Sequence, residues 1–412
     1  MKAIQAKKWF AFFVAISALA CLAVLFGCSQ QTSSKAKHLS ADDIKATQTY
    51  DSSSDGEHAI TADGEKASYE SIAVTKTGSS SGDEADFYGE NAAIFATNGA
   101  TLDLKNILVN SDGTHANAVF TYGKGTTVNI SDSVIETVGN CSGGLMTTGG
   151  GVTNATNLTI HTTGNSSAAI RSDRGGGTMT VDGGSYTTEG KGSPVVYSTA
   201  EITVSNADMT STASQGIVIE GKNSVTLNNV ALTASNTQKN SNKSEWYQAV
   251  MIYQSMSGDA KEGTSAFAMN GGTLTNKNGD VFFVNNTSTT IDLNGATIKN
   301  EDANGVFLRA AAAGWGKSGK NGGRVTMTAT DQTIDGNMLI DDISSLDLTL
   351  AGKSTFNGAI NPDGASGAVS VKIASGATWK LSSDSYVDSL ENAGKIDLNG
   401  HALYVNGVAY SG

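Results

Sequence analysis

The pattern apolar-x-apolar-x-(Asn, Asp or Gly) recurs along this chain, and a recurrence at a fixed interval constrains the fold more than any single motif. It reads Leu102-x-Leu104-x-Asn106, Val128-x-Ile130-x-Asp132, Met179-x-Val181-x-Gly183, Ile202-x-Val204-x-Asn206 and Val225-x-Leu227-x-Asn229. It returns as Phe267-x-Met269-x-Gly271, Ile291-x-Leu293-x-Gly295 and Ile396-x-Leu398-x-Gly400. Leu104 to Ile130 is 26 residues, and Val181 to Val204 and Val204 to Leu227 are 23 each. The unit is therefore in the low to middle twenties.

Each unit carries a second apolar run upstream: Ala92–Phe95, Ala118–Phe120, Gly144–Met146, Ala169–Arg171, Val195–Tyr197 and Ile217–Ile219. Alternation with period two, closed by Asn, Asp or Gly, predicts short strands joined at tight corners, and no helical period is sustained beyond the first 28 residues. Asn, Asp and Gly accept left-handed backbone and can hydrogen-bond from coil to coil. With 48 Gly but only 2 Pro, almost every N–H stays available for pairing. The prediction is an all-β chain: a right-handed parallel β-helix with three short strands per coil, in which one stack forms a single domain. A leucine-rich horseshoe has a similar period, but its Leu-x-x-Leu-x-Leu signature is missing.

Three places break the period. Thr237 to Tyr247 and Ser255 to Gly263 lengthen the step from Leu227 to Met269, and Ala310 to Gly323 is a third long segment. Insertions in a solenoid leave from its corners, where binding function usually sits. The segment up to about residue 90 is expected to be an irregular N-terminal cap, and the chain from about 379 to close the stack.

The first 28 residues give an address. Lys2, Lys7 and Lys8 precede the apolar run Trp9 to Phe26, and Leu25-Phe26-Gly27-Cys28 follows. That reads as a secretory signal over 1–27. Its end resembles a bacterial lipobox, which makes Cys28 the lipidated, palmitate-bearing first residue, with 28–45 as a flexible tether and 46–412 as the β-helix. A bacterial cell-envelope protein facing outward, held to the membrane through Cys28, is the expectation. Without residues 1–27, which hold three lysines and no acids, the net charge of −12 becomes −15. Nucleic acid is a poor partner for such a chain. Cys21 leaves with the signal and Cys28 carries lipid, so Cys141 has no intramolecular disulfide partner.

SSAAIRSDRGGG (Ser166–Gly177), GSPVVYSTAEITV (Gly192–Val204) and GKNSVTLNN (Gly221–Asn229) resemble segments of adhesin-like bacterial surface lipoproteins with the pectin-lyase-like β-helix. The similarity covers about residues 90 to 405. It implies the fold; the superfold hosts lyases, hydrolases, esterases and non-catalytic binders, so it does not imply one function.

Catalytic signatures are sparse. Gly279–Val284 departs from the carboxylate-bearing strand of a β-helix esterase and reads as an ordinary coil strand. Asp341-Asp342 is an adjacent acidic pair of the kind a glycoside hydrolase, which needs two carboxyl groups, could use, but no Gly-His-Gly accompanies it. Arg171, Asp173 and Arg174 form a charged cluster that a polysaccharide lyase would require as base, with Ca²⁺ as its cofactor; no Ca²⁺ motif stands beside them. Placing Arg171 and Asp173 opposite inward Ile170 predicts that the cluster faces solvent. The other reading of the cluster is an ion pair at a strand end.

The same register puts Phe95, Phe120, Met146, Arg171, Tyr197 and Ile219 in one outward column, with Ile94, Val119, Val196 and Val218 inward. Such an apolar stripe is either covered by the segment before Asn91 or a corner loop, or it is a ligand surface. In the second case Trp246, Tyr247 and Trp315 on the loops are stacking platforms for sugar rings. His38, His58, His115, His161 and His401 show no metal-ligand spacing. The leading expectation is a lipid-anchored, non-catalytic binder of polysaccharide or of a cell-surface ligand; a lyase for acidic polysaccharide and a structural spacer are the alternatives.

Overall fold

A computed structural model describes residues 38–411, and the predicted signal, Cys28 and the start of the tether lie outside them. The chain is a right-handed parallel β-helix. In one coil the strands Ile94–Thr97, Thr101–Lys105 and Leu108–Ser111 follow one another, and the next coil repeats them as Val119–Tyr122, Thr127–Ser131 and Val134–Thr137. The first strand of a coil joins an 11-stranded sheet and the second a 21-stranded sheet, which also takes the third strand up to Thr297–Asn300; from Thr333–Asp335 on, the third strands form a separate four-stranded sheet. Pairing is parallel and in register, as in Ile94↔Val119 and Leu102↔Val128.

All eight expected corner residues are left-handed. Asn106, Asp132, Asn206 and Asn229 have φ between 48° and 53°, and Gly183, Gly271, Gly295 and Gly400 are also positive. The side chains form the expected ladders: Asn157 Nδ2 donates to Asp132 at 2.6 Å, Asn206 to Asp182 at 2.8 Å, and Asn229 to Asn206 at 3.1 Å. Inside, aliphatic and aromatic columns fill the stack. Phe282 lies between Phe267 and Phe307 with ring centroids 5.5 Å apart on each side.

A different corner is built on glycine. A Cβ on Gly113, Gly139, Gly164 or Gly190 would stand 1.8–2.0 Å from the carbonyl oxygen of the glycine one coil earlier. Those carbonyls accept hydrogen bonds from serine hydroxyls: Ser142 to Gly113 O at 2.7 Å, Ser167 to Gly139 O at 3.0 Å, and Ser193 to Gly164 O at 2.8 Å.

Three expectations are corrected. Regular coils begin well before residue 90: Gln48–Ser52, Ile60–Asp63, Lys66–Glu70 and Ile72–Lys76 all pair in parallel with later strands, and only the stretch after Lys76 is irregular. The tether cannot run to 45, because Leu39 and Ile44 are buried against Val134 and Leu39 N donates to Thr159 Oγ1 at 2.9 Å. In strand Ile217–Glu220 the register is the reverse of the expected one. Ile217 and Ile219 point into the core, and Val218 pairs with Tyr197 on the outward face. Three consecutive β-branched apolar residues carry no alternation, so the strand's own sequence does not set its face.

The long segments Thr237 to Tyr247, Ser255 to Gly263 and Ala310 to Gly323 are loops as expected. At the far end Tyr404↔Ala409 pair antiparallel and close the stack.

Candidate functional site

The outward face of the 11-stranded sheet carries Phe95, Phe120, Met146, Arg171, Tyr197, Val218, Met251, Phe283 and Arg309 in one column. Its Phe95 to Met146 end is covered, which is one of the two readings of the stripe, and further along the face opens into clefts. The segment before Asn91 turns through a single helical turn, Asp83–Phe87, which docks on Arg171, Arg174 and Thr148. Five residues cannot hold a helix unaided. Docking holds this one: Ala85 and Phe87 are buried, Phe87 O accepts from Thr148 Oγ1 at 2.8 Å, and Gly89 comes so close to the Phe95 ring that a Cβ would meet it at 2.6 Å.

Arg171 and Asp173 do not face solvent, contrary to the sequence-based expectation, while Arg174 remains 32% exposed. Arg171 Nη1 reaches Asp86 Oδ1 at 3.1 Å and Nη2 reaches Asp173 Oδ2 at 2.8 Å, with side chains only 11% and 5% exposed for Arg171 and Asp173. Arg174 binds Asp83 and Asp259 at 2.7 Å each, and its guanidinium lies 3.7 Å above the Phe87 ring. The expected ion pair exists, then, but it is the floor of a four-carboxylate network roofed by a helix and a loop.

Burial opposes ionisation of Asp86, but His115 and Arg171 outweigh it and hold the carboxyl at about 2. Burial dominates at Asp173 and pushes it up to about 6 against the pull of Arg171. Arg171 is held firmly protonated by Asp173 and Asp86, which overcome the cost of its burial. Next to this network a buried carboxylate, Glu220, accepts hydrogen bonds from Tyr197, from Ser255 and, at 3.0 Å, from Tyr253. Burial above all, with Glu220 adding to it, pushes both phenols well above their usual range, so they remain donors.

Two clefts open on this face. One of about 280 Å³ is lined by Asp86, Cys141, Arg171, Asp173, Tyr197 and Asp259 among others. The other, of about 220 Å³, is lined by Tyr197, Val218, Met251, Tyr253 and Trp315. They share Gly192, Pro194, Tyr197, Asn240 and Tyr253 and so form one groove along the stack. A third cleft of about 280 Å³ lies further along, with Trp246, Arg309 and Asp341 in its wall. There Arg309 pairs with buried Asp280 at 2.6 Å and lies 4.7 Å from the Trp246 ring.

The proposed stacking platforms separate. Trp246 is half-buried and lines the third cleft, with its ring also against Phe283 at 5.3 Å. Trp315 is 9% exposed and packs edge-on against Tyr253 at 5.1 Å, so it is a wall of the groove rather than an open platform. Tyr247 lies under Lys239 at 5.2 Å, away from all three clefts. Phe95 and Phe120 lie beneath Gly89, just past the helix, and line neither cleft of the groove.

Sequence reading missed Asp83, Asp86, Glu220, Tyr253, Asp259 and Arg309. The acidic run Asp83-Glu84-Ala85-Asp86, in a chain otherwise rich in Gly, Ser and Thr, was the available signal for the first two. Glu220 follows directly from the corrected register of its strand. No protein-family model, no curated protein and no solved structure matches the chain.

Proposed function

We propose that the protein binds an extended polar polymer, a polysaccharide chain, along the outward face of the 11-stranded sheet, and does so without reacting with it. The observation that carries this reading is the continuity of the two clefts through Tyr197 and Tyr253, which makes a groove with aromatic rings, a carboxylate network and amide groups side by side. Pyranose C–H faces pack on rings while hydroxyls seek the polar neighbours.

The pairing of the charged groups favours binding over chemistry. A lyase base must accept a proton, whereas Arg171 and Arg174 are each held by two carboxylates. The phenols of Tyr197 and Tyr253 are both turned to Glu220.

The test is a glycan array probed with the full chain in detergent, together with pull-down on insoluble polysaccharides. Binding is expected, and Trp246→Ala, which strips the third cleft of its ring, is expected to weaken it about tenfold, the loss of one stacked ring of roughly 1–1.5 kcal/mol. A clean array with no uptake on insoluble polysaccharide overturns the reading. Unsaturated products from polygalacturonate with Ca²⁺ would replace binding by the lyase alternative.

The envelope location belongs to the same proposal and rests on Leu25-Phe26-Gly27-Cys28. Two or three acyl chains at about 0.8 kcal/mol per buried CH₂ anchor stably where one does not. Cys28→Ser is expected to abolish labelled palmitate incorporation and to remove the protein from the membrane fraction. Equal labelling and retention would overturn the anchor.

A further inference from the structure

His115 and Cys141 occupy the same corner of consecutive coils. Both are left-handed, at φ 53° and 55°, and the two following coils place Ser166 and Gly192 there, also with positive φ. The chain is threaded identically at each: His115 N donates to Asn140 O, Cys141 N to Asn165 O and Ser166 N to Lys191 O, at 2.8–3.0 Å. Left-handed backbone costs a residue with a Cβ about 1–2 kcal/mol, and His and Cys bring no local hydrogen bond that explains their presence. What they bring is side chains one coil apart, about 4.8 Å in a parallel stack.

Asp86 is laid onto this pair by the helical turn Asp83–Phe87. One ligating atom each of Asp86, His115 and Cys141 lies within 4.8 Å of the other two. The His115 Nδ1 atom is shut off from water and has no hydrogen-bond partner. Asp86 Oδ1, at 3.6 Å, is near enough for charge attraction and too far for a hydrogen bond.

We propose that Asp86, His115 and Cys141 form a site for a borderline divalent transition-metal ion of the Zn²⁺ type. A thiolate, an imidazole and a carboxylate are the donor set such an ion takes, at about 2.3, 2.0–2.1 and 2.0–2.2 Å respectively. Around a tetrahedral ion these bond lengths set the ligand atoms roughly 3.4–3.6 Å apart, so side-chain rotation of about an ångström closes the site and the coils need not move. Softer thiolate chemistry also disfavours Ca²⁺ and Mg²⁺ here.

Asp86 and Cys141 line the groove while His115 does not, so an ion held here would lie against the groove wall. An ion with three protein ligands and one open position can accept an oxygen from whatever the groove holds, a hydroxyl or carboxylate of a sugar included. The metal site stands on its own geometry, whether or not the groove binds polysaccharide.

Ligands 29 and 26 residues apart, from 86 to 115 and from 115 to 141, match no linear metal motif. They meet only because one coil advances the chain by one stacking step and because an inserted turn folds back over two coils.

The test uses the full chain, reduced and stripped with chelator, titrated with Co²⁺. One ion per chain is expected, with thiolate-to-cobalt charge-transfer absorption in the near ultraviolet and the intense visible bands of four-coordinate cobalt; Zn²⁺ then bleaches both. Cys141→Ser is expected to lose the charge-transfer band, and His115→Gln to weaken binding at least tenfold. Serine already stands at this corner one coil later, so Cys141→Ser keeps the coil, and an unchanged circular dichroism spectrum checks that it has. Absence of the band in the wild type, or a band of full strength in Cys141→Ser, overturns the site.

Discussion

Replacing Arg171 by alanine is expected to cost about 3–5 kcal/mol, because it leaves buried Asp173 and half-buried Asp86 without their shared cation. The loss has a particular place. Asp86 belongs to the single turn Asp83–Phe87, whose other anchors are the Arg174 pair and the buried Phe87 and Ala85. The turn should therefore lift before the coils unfold. Limited proteolysis in the stretch from Gly78 to Glu90 is expected to become fast in Arg171→Ala under conditions where the wild-type chain is intact, and urea unfolding should begin at lower denaturant. Arg171→Met with Asp86→Asn and Asp173→Asn is expected to recover much of the stability, since the penalty comes from unpaired charge more than from lost attraction. If Arg171→Ala unfolds within about 1 kcal/mol of wild type, the network is an exposed decoration and not the floor of the groove.

Gly164→Ala is expected to be at least as damaging. Its new Cβ would stand 1.9 Å from Gly139 O, a backbone atom of the neighbouring coil that itself accepts a hydrogen bond from Ser167. No side chain can rotate away, so the coils must part locally. The cost is expected to reach or exceed the upper end of overpacking, about 3 kcal/mol. Gly271→Ala is the matched control: φ is 62° and nothing lies within 4 Å of the added carbon, so only left-handed backbone strain of about 1–2 kcal/mol applies. Equal stabilities for the two variants, measured by denaturant unfolding, would mean that the glycine column is not a packing constraint. Because each coil leans on its neighbours, the disruption should spread from Gly164 into the coils on either side while distant coils hold.

The groove depends on both kinds of residue. Gly113 and Gly139 bring the corners close enough for His115 and Cys141 to stand one coil apart, and Arg171 holds Asp86 beside them. Damage at either is expected to reach the site as well as the fold.

The sequence by itself determined the coil. The recurring apolar pairs, the left-handed residues that end them from Asn106 to Gly400, and the three long loops all follow from spacing and residue type, because hydrogen bonding between parallel coils forces each coil to repeat the conformation of its neighbour. Even the glycine column, spaced 26, 25 and 26 residues from Gly113 to Gly190, was legible there. Only the tertiary structure decided which face Val218 takes, where the turn Asp83–Phe87 lands, and hence that Arg171 and Asp173 are buried and that Asp86 meets His115 and Cys141. A repeat dictates nearest-neighbour geometry along the stack. An insertion that leaves it is placed instead by the side chains it meets several coils away, in this case Arg171, Arg174 and Thr148, and no interval in the sequence encodes that meeting.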